Sequence, residues 1–185
     1  MACLTRRIES EETTVTKLKE ARRQIETAIE LWVREADPVS IHTLAAAAHR
    51  LVHDVAASDK EIGISGAFLL DGKRLAEWGF NPKEFKKELR RAETFFKHAK
   101  DDPNDSYTLS HSLTEAVLYS TIDCYRRLVK EKSALMGLFL AWFGVQSPAL
   151  LDEPSRDKLA NIIPASKGVS RQEFFEKMNP LALLF

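Results

Sequence analysis

Three of the five histidines stand close together in the chain, at His42, His49 and His53. On an α-helix, spacings of seven and four residues bring their imidazoles within about 40° of one another, which predicts a single stripe along one edge. Imidazoles one turn apart are typical metal ligands in helical bundles, where facing helices supply the other ligands. The alternative is structural: each half-buried imidazole donates to a backbone carbonyl or a neighbouring carboxylate and has no further role.

A second group follows in F-F-K-H-A-K-D-D-P, where His98 precedes Asp101 and Asp102. Pro103 ends the predicted helix, whose negative C-terminal end favours a protonated imidazole. One interpretation is a capping histidine with solvated aspartates. In the other, His98 and an aspartate face the histidine stripe and form a metal or acid/base site. That interpretation predicts a divalent transition metal held within one set of side chains: His42, His49, His53, His98, Asp101 and Asp102.

The helix that carries the stripe has a clear start. Asp37 can cap free amide hydrogens, and Pro38 has the right φ for the first helical position. The apolar positions predicted to face the core are Ile41, Leu44, Ala48, Leu51 and Val55. A preceding amphipathic helix, capped by Thr13 or Thr14 and running to about Arg34, is joined by a very short link, which predicts a helical hairpin.

Further helix starts are predicted at Asn81-Pro82, at the capping box Ser112 to Glu115, and at Ser133 and Ser170. The helix after Ser133 is almost entirely apolar, so it is either the buried helix of a bundle or an oligomer interface. Residues 58–80 hold four of the seven glycines and predict a long loop, or alternatively a small hairpin around Asp71-Gly72. The chain is therefore predicted to be all-α, a single domain over residues 1–185. It would have about five main helices, a long glycine-containing loop, short C-terminal helices and a loose lead-in at residues 1–12.

The composition gives no support to binding of nucleic acid or membranes, although it still allows a local basic patch. The 27 basic and 27 acidic residues cancel, so no net charge supports binding to RNA or to an anionic membrane. Cys3 and Cys124 have no metal-binding spacing, and the first residues lack the apolar stretch of a signal peptide. No apolar run reaches the roughly 18 to 20 residues that span a bilayer. These features predict a cytoplasmic protein with no membrane partner. A homodimer could form through the 134–145 helix or the apolar C-terminus.

Two stretches, D-P-V-S-I-H-T-L-A-A-A-A-H and F-F-K-H-A, resemble a group of small all-helical bacterial proteins. That resemblance implies the fold and no activity. The spacing of Arg91 and His98 resembles that of HEPN domains, which are helical bundles, often dimeric, many of them metal-independent RNA endonucleases. The resemblance implies that Arg91 stabilises phosphate charge and His98 assists attack by the ribose hydroxyl.

Three hypotheses follow from the sequence. The first is an interaction or accessory role, the second is a HEPN-like ribonuclease or an inactive relative, and the third is a bundle that binds a metal or small ligand. The nuclease predicts an exposed Arg91, since a buried, salt-bridged guanidinium could not reach RNA. The metal site predicts imidazoles that converge.

Overall fold

The computed structural model describes residues 13–58, 75–76, 79, 81–97, 104–131, 133–148, 157 and 168–178. Within these ranges the protein is an all-α bundle without strands, as the sequence predicts. Its helices are α1 (Lys17–Val33), α2 (Pro38–Ser58), α3 (Pro82–Lys97), α4 (His111–Val129), α5 (Ala134–Gln146) and α6 (Arg171–Met178). No helix among the described residues is long and apolar enough to cross a membrane.

Most helices begin at the short polar side chains that the sequence predicts as caps. The Asp37 carboxylate accepts a hydrogen bond from the Ser40 amide at 2.8 Å, so it caps α2. Three further predicted caps are confirmed in the same way: Asn81, Ser133 and Ser170. The start of α1 was predicted too early, because the capping side chain is Thr16 and not Thr13 or Thr14.

The start of α4 also differs from the prediction. The hydroxyl of Ser110 accepts a hydrogen bond from the Leu113 amide at 3.3 Å, and His111 is the first helical residue. Ser112, predicted to be the cap, lies inside the first turn, where its hydroxyl is 2.8 Å from that of Ser110. Ser110 has the extended backbone that a capping residue needs, with φ −83° and ψ 123°.

The predicted hairpin of α1 and α2 is present and forms much of the core. Glu35 takes a positive φ of 52° in the link, and the Ala36 amide bonds back to the Leu31 carbonyl at 3.0 Å. Ala45 and Ala48 of α2 are fully buried, and their small side chains allow α1 to approach closely. On its other side α2 packs against α4.

The apolar helix α5 lies inside the bundle. Met136 and Phe139 are fully buried, whereas Leu135 and Leu140 are half-buried. The interpretation of α5 as the buried helix is therefore correct for the single chain. Dimerisation through this helix or through the C-terminus stays a prediction.

Aromatic rings join α1, α5 and α6 at one end of the bundle. The ring of Trp32 meets Phe139 edge to face at 5.0 Å and lies 5.8 Å from Trp142. Phe175 of α6 is 5.9 Å from Trp32, and Phe174 is 5.2 Å from Trp142. This packing holds the start of α6 beside the end of α1.

The long glycine-containing stretch is described only in part. Ser58 is the last residue of α2, one position into the predicted loop. Leu75 is helical and only 1% exposed, so this part of the stretch contributes to the core. The alternative hairpin at Asp71-Gly72, the lead-in at 1–12 and the C-terminal residues 179–185 lie outside the described residues.

Candidate functional site

The three histidines of α2 differ in burial, although the sequence predicts that all three lie at the boundary between the buried and exposed faces of the helix. His42 is fully buried and His49 is 8% exposed, whereas the side chain of His53 is 37% exposed. The prediction is wrong for the first two because α2 is covered by α1 on one side and by α4 on another. The buried sector therefore includes the side of α2 that carries His42 and His49, whereas Leu44, Leu51 and Val55 of the predicted core stripe are only half-buried.

His42 is tied to α4 through one ring nitrogen. Its Nδ1 lies 2.9 Å from the hydroxyl oxygen of Thr114, and its ring centroid is 5.8 Å from that of Phe96. Its Nε2 is buried and has no hydrogen-bond partner among the described residues. Burial lowers the pKa of His42 from 6.5 to about 4, so the imidazole is neutral at pH 7.

His49 is in a similar state. Its Nε2 is also buried without a hydrogen-bond partner in the described part of the chain. Burial first, and then the nearby His53 and Arg50, lower the pKa of His49 from 6.5 to about 4. The rings of His49 and His53 are 6.3 Å apart, and His53 Nδ1 lies 3.4 Å from the Asp54 carboxylate.

The predicted metal site is only partly described. Within the described ranges, no three histidine, cysteine, aspartate or glutamate side chains are grouped so that they could hold a metal ion. His98, Asp101 and Asp102 lie outside those ranges, so their convergence with the α2 histidines stays a prediction. Cys124 is buried, which raises the pKa of its thiol to about 11 and keeps it protonated.

Arg91 lies exposed on α3, as the nuclease hypothesis requires. Its guanidinium carbon is 5.2 Å from the ring centroid of Tyr107, whose hydroxyl donates to the Glu88 carboxylate at 3.4 Å. Burial and the Glu88 carboxylate raise the pKa of Tyr107. The position of His98 relative to Arg91 lies outside the described residues.

The structure also contains a cavity of about 570 Å³, here named the indole cavity, where α1 ends and α2, α4 and α6 begin. Its apolar wall is formed by the indoles of Trp32 and Trp142 together with Ile41 and Val169. Its polar wall is formed by His111, Thr114, Ser170 and Arg171, with Glu35, Ala36 and Pro38 completing the lining. These residues come from five helices and the segments that join them, and no local motif connects them.

Arg171 holds one wall of the indole cavity in place. One of its terminal nitrogens donates to the Glu115 carboxylate at 2.9 Å, and the other donates to the Trp32 carbonyl at 3.3 Å. Its guanidinium stacks over the Trp32 ring at 4.3 Å. The Trp32 indole N–H donates to the same carboxylate oxygen at 2.9 Å. The network therefore fixes α1, α4 and α6 relative to one another.

Thr114 connects the indole cavity with the buried histidine. It lines the cavity, is 5% exposed, and bonds His42 on its inner side. A hydroxyl beside an imidazole is the pairing of a nucleophile and its base. Here the lowered pKa makes His42 a weak base, and no described side chain orients its Nε2. The arrangement is better suited to binding than to catalysis.

Comparison with known proteins adds no family to this geometry. A scan against protein-family models finds no match, and searches of curated proteins and of solved structures find none either. The resemblances to small bacterial helical proteins and to HEPN domains therefore remain predictions.

Proposed function

We propose that the protein is an accessory helical bundle that binds a small molecule in the indole cavity. The observation that carries this proposal is the cavity itself, with a volume of about 570 Å³. Small-molecule sites in proteins are concave, have volumes of about 300 to 1,000 Å³, and combine apolar walls with a few convergent polar groups. Two indoles and the Arg171 guanidinium provide that combination.

The hydrogen bonds that hold the cavity wall support the same proposal. Arg171, Trp32 and Glu115 bond one another directly, so contacts within the protein hold the wall in place. A preformed wall lowers the entropic cost of binding.

The described surface gives less support to a docking face for a protein partner. The large apolar side chains that are exposed within the described ranges are Val15 and Val39, at 43% and 39%. Val15 precedes the start of α1 and Val39 lies at the start of α2, so the whole of α1 separates them in the chain, and they form no patch of the size that marks an interface.

Isothermal titration calorimetry tests the proposal with three naphthalene probes of similar size: 2-naphthoate, 2-naphthamide and 2-naphthylmethylammonium. At least one should bind with one-to-one stoichiometry. Ala36 lines the cavity, so Ala36→Trp should fill it and weaken binding about tenfold or more. The matched control, Ala57→Trp, changes an exposed alanine of α2 and should leave binding unchanged. Absence of saturable binding by all three probes would contradict the proposal, as would equal binding by Ala36→Trp in a protein that still unfolds cooperatively.

A second candidate, RNA cleavage, is favoured by the exposed Arg91 beside Tyr107. We propose it as the alternative function, with Arg91 neutralising a phosphate and His98 assisting the ribose hydroxyl. Single-stranded RNA incubated in chelator should then be cut by the parent and not by Arg91→Ala or His98→Ala. Arg90→Ala, which changes an exposed neighbour on α3, is the matched control and should still cut. Uncut RNA in the parent reaction would contradict this alternative.

A further inference from the structure

We infer that the indole cavity selects a flat apolar molecule that carries one negative charge, such as an aromatic carboxylate, with its charge placed at Arg171. The inference rests on the proposed function, because it requires that the cavity binds a small molecule. It adds the chemical class of the ligand and names the side chain that recognises its charge.

The guanidinium of Arg171 has more N–H donors than its hydrogen bonds to the described residues use. It carries five N–H groups, and its hydrogen bonds to Glu115 and to the Trp32 carbonyl use two of them. The side chain lines the cavity and is 22% exposed, and within the described part of the chain no further acceptor is recorded for the remaining N–H groups. A carboxylate provides such acceptors, and its two oxygens match the planar guanidinium.

The same geometry disfavours a cationic ligand. Aromatic walls often bind cations, but Arg171 already stacks over the Trp32 ring at 4.3 Å. A second cation beside this indole would meet a like charge. The ring of Trp142 and the side chains of Ile41 and Val169 are left to contact the apolar body of the ligand.

The surrounding charges limit the ligand to one negative charge. Glu115 partly neutralises Arg171, and the carboxylate of Glu35 also lines the cavity, so a dianion would be repelled. The neutral hydroxyls of Ser110 and Ser170 cap α4 and α6, whose positive ends open at the cavity, whereas the Asp37 carboxylate caps α2. The N-terminal ends of α4 and α6 add to the positive field of Arg171 without forming a site themselves.

The charge series of naphthalene probes tests this inference on the full chain. 2-Naphthoate should bind about tenfold more tightly than the neutral 2-naphthamide, a difference of about 1.4 kcal/mol, and 2-naphthylmethylammonium should bind most weakly. The double variant Arg171→Met, Glu115→Gln removes both charges of the pair without leaving a lone carboxylate. It should bind the naphthoate and the amide with affinities within about twofold of each other, and because this ratio is the readout, a general loss of affinity from the altered wall does not affect the test.

A matched double variant, Arg127→Met with Asp123→Asn, removes an exposed ion pair of α4 and should keep the preference for the naphthoate. Equal binding of naphthoate and amide by the parent chain would overturn the inference and leave the proposed function standing. Tightest binding of the ammonium probe would do the same. If none of the three probes binds, the proposed function fails as well.

Discussion

The indole cavity and the inner face of α2 differ in the hydrogen bonding of their polar groups. At the cavity, Arg171, Trp32 and Glu115 hydrogen-bond one another. On α2, His42 and His49 are packed inside, and their Nε2 atoms have no partner among the described residues. The first arrangement is a preformed wall that can receive a ligand. In the second, protonation of the buried imidazoles costs free energy, so the stability of the protein depends on pH.

The largest expected effect on stability comes from protonating the two buried imidazoles at low pH. Folding lowers the pKa of His42 and of His49 from 6.5 to about 4, so below pH 6.5 the unfolded chain binds more protons than the folded one. Their contribution to stability is complete above pH 6.5 and is lost as the pH falls towards 4. The loss amounts to roughly 3 kcal/mol for each imidazole, and urea unfolding between pH 7.5 and 4 measures it.

The double variant His42→Asn, His49→Leu separates this loss from that of other acid-sensitive groups. It removes both titrating rings, so its stability should fall much less over the same pH range. An equally steep fall in the double variant would show that the buried imidazoles do not titrate as their burial implies.

An intermediate effect is expected at the cavity wall. Glu115→Ala removes the acceptor shared by Arg171 and the Trp32 indole, which should lower the free energy of unfolding by about 2 kcal/mol. Asp123→Ala removes the partner of Arg127 in an exposed ion pair and should cost less than about 0.5 kcal/mol. Urea unfolding of both variants at pH 7 makes the comparison, and equal costs would mean that the wall is not held by this network.

The smallest effect concerns the start of α4, which positions Thr114 and Glu115. Ser110→Ala should destabilise the protein by about 1 kcal/mol, because it removes the cap on the Leu113 amide. Ser112→Ala should cost less than about 0.5 kcal/mol, since Ser112 lies inside the first turn. The reverse order in thermal unfolding would restore the sequence-based assignment of the cap.

Local features of the sequence were sufficient to predict the fold class. Caps such as Asp37 and Asn81 act over three residues, and apolar periodicity acts over one or two turns, so both can be read along the chain. The sequence did not predict which histidines are buried. A helical wheel relates the imidazoles to one another, but the width of the buried sector depends on how α1 and α4 cover α2.

The indole cavity could not be found from the sequence for a related reason. Arg171 and Trp32 are separated by 139 positions, and Trp32 and Glu115 by 83. Only the packing of α6 and α4 onto α1 brings them together. An arginine directly after a capping serine and a tryptophan at the end of an apolar stripe are too common to indicate a site by themselves.

The most direct test of the central claim is to locate the bound probe by two-dimensional ¹H–¹⁵N NMR with 2-naphthoate. Binding in the indole cavity predicts shifts of the backbone amides of His111, Thr114 and Arg171 and little change at His49 and His53. Shifts centred on the histidines of α2, or no shifts at a saturating concentration of the probe, would contradict the assignment of the indole cavity as the binding site.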